Sequence, residues 1–168
     1  MYLESPRLII RDLDESMAES IHLNSLDADN RRFLPDEVFE SPAQALSGLQ
    51  DLIARYGSQE GPFVYAILLK DNRQIGYIQL VKIRQGWELG FQIGQAYRHQ
   101  GYAREAVKAF LPPMMEKLGI QKVYGICHQA NLASRKIMET SGFRLIYEGL
   151  GLYQGRMVPI CKYLYAIN

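Results

Sequence analysis

A turn between a strand-like run and a helix carries the residue pattern best suited to chemistry. The decapeptide YRHQGYAREA, from Tyr97 to Ala106, enters a run of helix formers through Gly101. N–H groups in the first turn of a helix lack intrahelical partners, and together with the helix dipole they bind phosphate. A glycine lets an anion approach that backbone closely. The pattern indicates a phosphate-binding turn; a glycine that only relieves turn strain is the alternative.

Two polar side chains, one on either side of this turn in the sequence, are candidates for a chemical role. Glu88 lies in WELGFQI, just before the turn, and Ser134 lies in NLASRKIMETSGF, from Asn131 to Phe143. Each residue also has a structural interpretation: Glu88 as an outward-facing carboxylate on a half-buried sheet, and Ser134 as a residue that satisfies an N–H at a helix start.

The composition limits the classes of protein to which the chain can belong. With 168 residues, 48% of them apolar, the sequence predicts a single domain, residues 1–168, with a full core. The formal net charge is +1 and the basic residues form no run, which argues against nucleic-acid binding. The segment MYLESPRLII lacks the features of a signal peptide, and no segment reaches the roughly 20 apolar residues of a membrane span. We therefore expect a cytoplasmic protein that binds neither nucleic acid nor a membrane.

The cysteines and histidines predict no metal site. Cys127 and Cys161 share no motif spacing, and no Cys/His cluster resembles a zinc site. We expect both cysteines to be buried, reduced thiols. The histidines are scattered, and a lone histidine is more often packed or solvated than catalytic, so they are assigned no role.

Apolar periodicity and turn residues predict helices and strands in a mixed order. A short strand, RLIIRDL, is followed by a helix from Glu15 to about Leu26, the polar break DADNRR, and a second helix capped by Ser41. Three runs, FVYAILL, IGYIQLVKI and WELGFQI, predict an antiparallel meander. After Gly101 follow a helix, the strand KVYGIC, another helix and two closing strands. WELGFQI and KVYGIC should therefore lie parallel, joined by a right-handed crossover.

Two adjacent prolines fall inside the helix that starts near Gly101. A proline within a helix removes a backbone hydrogen bond and clashes with the preceding turn, at a cost of about 3 kcal/mol. Pro112 and Pro113 therefore predict a kink or a restart of the helix near Leu111. Because the disturbance lies well beyond Gly101, the phosphate end should be unaffected.

The segment from Arg98 to Ala103, RHQGYA, resembles the (Arg/Gln)-x-x-Gly-x-(Gly/Ala) pyrophosphate signature of the GNAT superfamily of N-acetyltransferases. NLASRKIMETSGF resembles the superfamily's second motif, and the order of elements matches over nearly the whole chain. Glu88 and Ser134 are similar to residues of the branch that contains the ribosomal-protein N-terminal acetyltransferases. The resemblance implies an α/β (α+β) fold: a mixed, mostly antiparallel twisted sheet of six to seven strands, helices on both faces, and splayed parallel fourth and fifth strands.

The resemblance also implies how acetyl-CoA would be held. The pantetheine arm would enter the gap between the splayed strands, where main-chain groups near Phe91 and Ile93 would pair with its amides. Asn131 would bond the same arm through its side chain. Arg98 would add positive charge near the pyrophosphate. Backbone N–H groups would hold the pyrophosphate itself, and they belong to Gln100, Gly101, Tyr102 and Ala103.

For the chemistry, the resemblance implies direct attack of a primary amine on the acetyl thioester. Glu88 would accept the amine's proton, and Ser134 would assist departure of the thiolate. Many relatives carry a tyrosine as general acid where this chain has Met138, which cannot donate a proton, so Tyr153 is the alternative to Ser134. Trp87 and neighbouring aromatics could line an acceptor pocket, but core packing is the preferred interpretation.

The acceptor and the partners stay open. A peptide or protein α-amine and a small-molecule amine both fit the predicted reaction, and a homodimer is neither predicted nor excluded. Two other functions compete with the enzyme: a coenzyme A-binding sensor or interaction module without activity, and an ordinary nucleotide-binding domain. The lone glycine matches neither the dinucleotide fingerprint nor the P-loop, which argues against the last.

Overall fold

The computed structural model describes residues 1–167 and contains one eight-stranded sheet flanked by helices. The strands are β1 (Tyr2–Glu4), β2 (Leu8–Asp12), β3 (Phe63–Leu69), β4 (Gln74–Ile83), β5 (Gly86–Ile93), β6 (Lys122–His128), β7 (Arg144–Tyr153) and β8 (Arg156–Ala166). The helices are α1 (Ala18–Ser25), α2 (Ala28–Phe33), α3 (Pro42–Ala54), α4 (Tyr102–Leu118) and α5 (Leu132–Thr140). Single 3₁₀ turns lie at Glu15–Met17, Pro35–Glu37 and Gln95–Tyr97.

The strand order confirms the predicted mixed sheet and corrects its strand count. The order is β1-β2-β3-β4-β5-β6-β8-β7, in which every neighbouring pair is antiparallel except β5 and β6. The predicted six to seven strands become eight because Tyr2–Glu4 pairs with β2. A three-residue edge strand carries no periodic signal of its own, since its pairing depends on a neighbour. The splayed parallel pair is therefore the fifth and sixth strand.

Helices cover both faces of the sheet, as predicted. On one face α1 and α3 pack on β2, β3 and β4 through a cluster that includes Ile21, Leu49 and Val64. On the other face α4 fills a larger cluster around Phe110 with β2 to β6 and β8. The sheet is thus covered on both faces at β2, β3 and β4, whereas β5 and β6 pack into the α4 cluster alone.

The start of α3 agrees with the sequence pattern, whereas the segment before it does not. Ser41 caps α3 by accepting a hydrogen bond from the Gln44 N–H at 3.2 Å, with Pro42 as the first helical residue. The polar break DADNRR was predicted to be a loop, and that is wrong: it forms α2. The Asp27 carboxylate caps this helix, and Phe33 is buried beneath it. Capping and burial at one end outweigh the polar composition.

The α4 helix runs through both prolines as one element, so the predicted restart near Leu111 is wrong. The neighbouring apolar side chains explain its persistence: Phe110, Leu111, Met114 and Met115 are buried in the core. Packing of that face outweighs the loss of two backbone hydrogen bonds. The helix still begins at Tyr102, directly after Gly101, as the sequence predicts. Within residues 1–167, no helix is long and apolar enough to cross a membrane.

Candidate active site

The parallel strands β5 and β6 part almost as soon as they meet. Their register contains a single pair, Glu88 with Tyr124, whereas β4 and β5 pair along the whole of β5. Beyond Glu88 the two strands therefore diverge toward their carboxyl ends. This is the splayed geometry that the resemblance implies, and it opens a gap lined by main chain.

Backbone groups of β5 face that gap at the two predicted positions. The Gly94 N–H donates to the Ile75 carbonyl of β4 at 2.8 Å. Successive residues of a strand direct their main-chain groups to opposite neighbours. The N–H and C=O groups of Phe91 and Ile93 therefore point away from β4, toward β6. The Ile93 carbonyl already accepts one bond, from Arg98 Nε at 2.8 Å.

The turn before α4 has the conformation that a phosphate site needs. Gly101 has φ +82°, in the left-handed region, and no side chain caps the helix that follows. The first-turn N–H groups of α4 are thus not used by a capping side chain, and the Gly101 backbone is exposed. Gln100, Tyr102 and Ala103 belong to this same turn, so all four predicted pyrophosphate residues lie at one helix N-terminus.

Arg98 is engaged differently from the expectation. Its guanidinium donates to the Asp27 carboxylate at 2.8 Å and to Asp29 at 3.2 Å, in addition to the Ile93 carbonyl. Two acidic partners offset its charge, and its side chain is mostly buried. Arg98 therefore ties the end of β5 to the start of α2. The sequence did not indicate these partners because α2 was not predicted.

Asn131 and Ser134 are placed together by the start of α5. The Asn131 Oδ1 accepts a hydrogen bond from the Ser134 N–H at 3.1 Å, so Asn131 rather than Ser134 is the helix cap. This bond uses the Asn131 carbonyl oxygen and the Ser134 backbone. It involves neither the Asn131 amide N–H groups nor the Ser134 hydroxyl.

A cavity of about 190 Å³ lies where β5 and β6 part, and we call it the reaction cavity. It brings together both predicted catalytic residues, Glu88 and Ser134, and the alternative acid, Tyr153. Phe91 and Asn131 also line it, whereas Arg98 and the turn at Gly101 lie outside it. Its walls also include Leu34, Glu37, Gln79, Val81, Met138 and Gln154.

The electrostatics of the reaction cavity favour a proton acceptor near neutral pH. Burial and the nearby Glu37 carboxyl raise the pKa of Glu88 to about 7, against the weaker opposite effect of Lys162. Burial, followed by the Glu37 and Glu88 charges, raises the pKa of Tyr153, so its phenol keeps its proton at neutral pH. The cavity thus contains a carboxyl that can take up a proton and hydroxyls that can donate one.

Residues 7–144 match the protein family described as "Acetyltransferase (GNAT) domain". The chain belongs to the GNAT acetyltransferase family. This confirms the resemblance drawn from RHQGYA and NLASRKIMETSGF, and it makes the protein an acetyl-CoA-dependent acetyltransferase.

Individual relatives agree with the family assignment. The Bacillus subtilis (strain 168) "Uncharacterized N-acetyltransferase YoaA" is 26% identical over 146 residues, 84% of this chain and 82% of that protein. An acetyltransferase (GNAT family) from Bacillus anthracis has a TM-score of 0.83 at 21% identity, covering 99% of this chain and 98% of that chain. The ribosomal L7/L12 alpha-N-protein acetyltransferase RimL, in complex with coenzyme A, has a TM-score of 0.81 at 20% identity, with 99% and 98% covered. At these identities the likeness shows a shared fold.

The aromatic residues of this GNAT acetyltransferase divide between core and cavity. Trp87 stacks on Phe63 with ring centroids 5.5 Å apart, and Tyr65 is buried against α4. Trp87 and Tyr65 therefore pack in the core, which is the interpretation preferred from the sequence. Phe91 lines the reaction cavity, and Tyr77 lines a second cavity beside it. Tyr65 and Tyr77 lie on opposite faces of the sheet, because Tyr65 belongs to the cluster under α4 and Tyr77 to the cluster under α1 and α3.

One cation beside the turn at Gly101 of this GNAT acetyltransferase was not predicted from the sequence. Arg7 Nη1 donates to the Gln100 carbonyl at 2.9 Å, and its guanidinium lies 4.6 Å from the centre of the Tyr102 ring. Arg7 is half exposed and also pairs with Glu105 at 2.7 Å. It lies far from the turn in sequence, so no local motif could reveal it.

An acidic residue that lines the reaction cavity, Glu37, was not predicted from the sequence either. Glu37 accepts a hydrogen bond from the Tyr77 hydroxyl, and Gln79 Nε2 lies 3.4 Å from it. Burial raises the pKa of Glu37. Its 3₁₀ turn, PDE, has no periodic pattern or known motif, so only its contacts mark it.

Within the described residues, no group of three His, Cys, Asp or Glu side chains is placed to hold a metal ion.

Proposed function

We propose that this acetyltransferase acetylates the α-amine of a peptide or protein N-terminus by direct attack on acetyl-CoA. The observation that carries the proposal is that Glu88, Ser134 and the main chain at Phe91 meet at the point where β5 and β6 part. The RimL enzyme, named for acetylating ribosomal L7/L12 at its α-amine, supports the choice of acceptor through its similar fold.

Acetyl-CoA would lie along the β5 edge with its pyrophosphate at the start of α4. It supplies the acetyl thioester that the amine attacks. The N–H groups of Gln100, Gly101, Tyr102 and Ala103 would bind the pyrophosphate oxygens. Phe91 and Ile93 would pair with the pantetheine amides through their main chain, and the Asn131 amide would donate to the same arm. Arg7, which is half exposed and has one acidic partner against the two of Arg98, would supply the positive charge that we expected from Arg98.

Glu88 would accept the proton that the attacking amine loses, directly or through water. An α-amine has a pKa of about 8, close to the pKa of about 7 of Glu88. Proton transfer between such groups is nearly balanced, which is the condition under which general-base catalysis is efficient. In the complete step the nitrogen bonds to the acetyl carbon and the carbon–sulfur bond breaks. The thiolate takes a proton from a hydroxyl of the cavity, and that hydroxyl regains a proton, directly or through water, from Glu88, which holds the one lost by the amine.

Ser134 is the preferred donor to the departing thiolate. Its N–H is bound by Asn131, which holds the first turn of α5 in place and leaves the hydroxyl for the cavity. Tyr153 lines the same cavity and keeps its proton at neutral pH, because burial raises its pKa. Both hydroxyls are therefore available, and their variants can be compared in one assay.

The direct test measures thiol release from acetyl-CoA with a panel of peptides and small amines. We expect peptide α-amines to be acetylated and mass spectrometry to place the acetyl group on the N-terminal nitrogen. Peptides with a blocked N-terminus and a free lysine are the matched control. Transfer only to lysine or only to small amines would contradict the proposed acceptor, and binding without any transfer would favour the inactive binding module.

Acetyl-CoA should stabilise the protein against unfolding. A ligand that binds only the native state adds about 2.7 kcal/mol at a hundredfold excess over its dissociation constant. For a chain of this size, that increase corresponds to a rise in Tm of roughly 5 to 10 °C. Thermal unfolding in millimolar acetyl-CoA, with ATP at the same concentration as control, checks it. An equal rise with ATP, or none with acetyl-CoA, would contradict the binding mode.

Ser134→Ala should lower the rate of acetyl transfer by about tenfold or more, because proton transfer from a positioned group typically contributes about 10²- to 10⁴-fold. The loss should depend little on the pKa of the acceptor amine, since the hydroxyl acts on the sulfur. Tyr153→Phe is the matched variant and should have the smaller effect. Single-turnover rates at saturating acetyl-CoA measure both; a larger loss in Tyr153→Phe would reverse the assignment.

A further inference from the structure

A second cavity lies beside the reaction cavity, and the reaction as described makes no use of it. Its volume is about 250 Å³. Glu37, Gln79 and Val81 line both cavities, so the two cavities adjoin at these side chains. We call it the aliphatic cavity. Its other walls are mostly apolar, with Asp36 as the one charged residue besides Glu37, and they include Leu13, Ile21, Ala45, Leu49, Leu52 and Val64.

The size and lining of the aliphatic cavity suit one apolar group. An apolar cavity of about 150 Å³ is large enough to bind benzene. Ala45 and Leu49 come from α3 and Ile21 from α1, and all three side chains are buried. Ala45, the smallest of them, faces the cavity from the first turns of the helix that Ser41 caps. The cavity can therefore hold the side chain of a large aliphatic or aromatic residue.

Two carboxyl groups mark the boundary between the cavities. Glu88 lies opposite Val81 in the β4–β5 register, and Tyr77, Gln79 and Val81 alternate along the same face of β4. Tyr77 and Gln79 hold Glu37 above that face. Glu37 and Glu88 thus both line the reaction cavity at its border with the aliphatic cavity.

The segment that carries Glu37 is also tied to the far side of the reaction cavity. The N–H of Asp36 donates to Oε1 of Gln154 at 3.1 Å, across 118 positions of sequence. Gln154 follows Tyr153 in the turn between β7 and β8, and it lines the reaction cavity. The position of Glu37 is therefore fixed from β4 and from the β7–β8 turn.

A buried ammonium group needs carboxylate or other acceptor partners, and an apolar substituent needs an apolar wall. We propose that the acceptor is a primary amine whose adjacent carbon carries a large apolar group: the amine lies between Glu37 and Glu88, and the apolar group fills the aliphatic cavity. This inference rests on the proposed function and adds the substrate class to it. An N-terminal leucine, methionine or phenylalanine carries this chemistry, and so does a small arylalkylamine.

The experiment compares kcat/KM across acceptors that differ in one side chain. Tetrapeptides that begin with glycine, serine, leucine, methionine or phenylalanine form one arm, and phenethylamine and ethylamine form the other. One apolar group in a fitting pocket changes kcat/KM by about 10- to 200-fold. We expect at least a tenfold preference for the apolar member in one arm. Which arm reacts faster identifies the source as a peptide or a small molecule.

Variants connect that preference to the cavity. Ala45→Leu places a larger side chain in the aliphatic cavity and should reduce the preference to less than threefold, while glycine peptides react as before. Should Ala45→Leu not fold, Leu52→Phe is the second variant: Leu52 is a half-buried wall residue, and the larger side chain should reduce the preference in the same way. Stabilisation by acetyl-CoA verifies the fold of each variant.

Glu37→Gln tests the position of the amine. We expect it to raise the KM for every amine acceptor by about tenfold or more and to leave the KM for acetyl-CoA unchanged. Glu19→Gln, the same change at an exposed position of α1, is the matched control and should have no effect. An acceptor KM that stays at the parent value in Glu37→Gln would contradict the placement of the amine.

The outcomes separate this inference from the proposed function. Equal kcat/KM for all first residues, or a preference for serine, would overturn the substrate class while transfer to α-amines stands. An unchanged preference in folded Ala45→Leu and Leu52→Phe would overturn the role of the aliphatic cavity. Absence of transfer to every amine, with acetyl-CoA bound, would overturn both proposals.

Discussion

Glu88→Gln should reduce kcat/KM for the acceptor amine by about 10²- to 10⁴-fold at pH 6, the range that general-base catalysis contributes. Glutamine keeps the size of the side chain but cannot accept the proton. Acetyl-CoA affinity should stay near the parent value, because Glu88 faces the reaction cavity rather than the phosphate turn. Steady-state kinetics at saturating acetyl-CoA measure the loss.

The pH profiles of parent and Glu88→Gln should differ in a diagnostic way. With a pKa of about 7, Glu88 is protonated below neutrality, so the parent's kcat/KM should rise tenfold per pH unit up to about 7 and then level. Without the carboxylate, the rate should follow the neutral amine and rise up to the amine's own pKa, about 8 for an α-amine and 10.4 for lysine. The ratio between the two enzymes should therefore be constant below pH 7 and shrink above it.

Glu19→Gln serves as the control for the glutamine substitution here as well, since Glu19 is exposed on α1. Its profile should coincide with that of the parent. Equal rates of parent and Glu88→Gln at every pH would mean that Glu88 relays no proton and that catalysis depends on positioning. A parent profile that bends near the amine pKa instead of near 7 would lead to the same conclusion.

Gly101→Val should weaken acetyl-CoA binding by about tenfold or more while the protein still folds. Gly101 has φ +82°, and a side chain with a positive φ costs roughly 1 to 2 kcal/mol. A branched Cβ would also occupy the space through which phosphate oxygens reach the N–H groups of α4. Isothermal titration calorimetry with acetyl-CoA measures the affinity, and chemical denaturation measures the stability.

The other end of the same helix supplies a matched control. Gly119 follows α4, has φ +63°, and a Cβ built there meets no atom within 4 Å. Gly119→Val should therefore lose a similar stability through backbone strain and keep the parent's affinity for acetyl-CoA. If both variants bind acetyl-CoA equally well, Gly101 is only a turn residue and the pyrophosphate lies elsewhere.

Local patterns were sufficient for most of the elements. The strand-like runs FVYAILL, IGYIQLVKI and WELGFQI, separated by short polar breaks, predict β3, β4 and β5, and the Ser41–Pro42 pair predicts the start of α3. Gly101 predicts the turn before α4. These features depend on interactions within a few residues, namely capping, periodic burial and permitted backbone conformations, so the amino-acid order alone carries them.

Long-range contacts decided what local patterns could not. Strand β1 forms because it pairs with β2. Helix α2 forms because Asp27 caps it and Phe33 is buried. Helix α4 continues through Pro112 and Pro113 because its apolar face is packed in the core. In each case the free energy comes from partners that are distant in sequence. Propensity summed along the chain does not include them.

The candidate site divides in the same way. Glu88, Ser134 and the phosphate turn belong to short motifs, so the sequence by itself determined them as candidates. Three other features depend on how α1, α2 and α3 lie on the sheet: the association of Glu37 with Glu88, the pairing of Arg98 with Asp27, and the aliphatic cavity. The acceptor's environment is therefore a property of the tertiary structure, because electrostatic and apolar contacts form between side chains that only folding brings together.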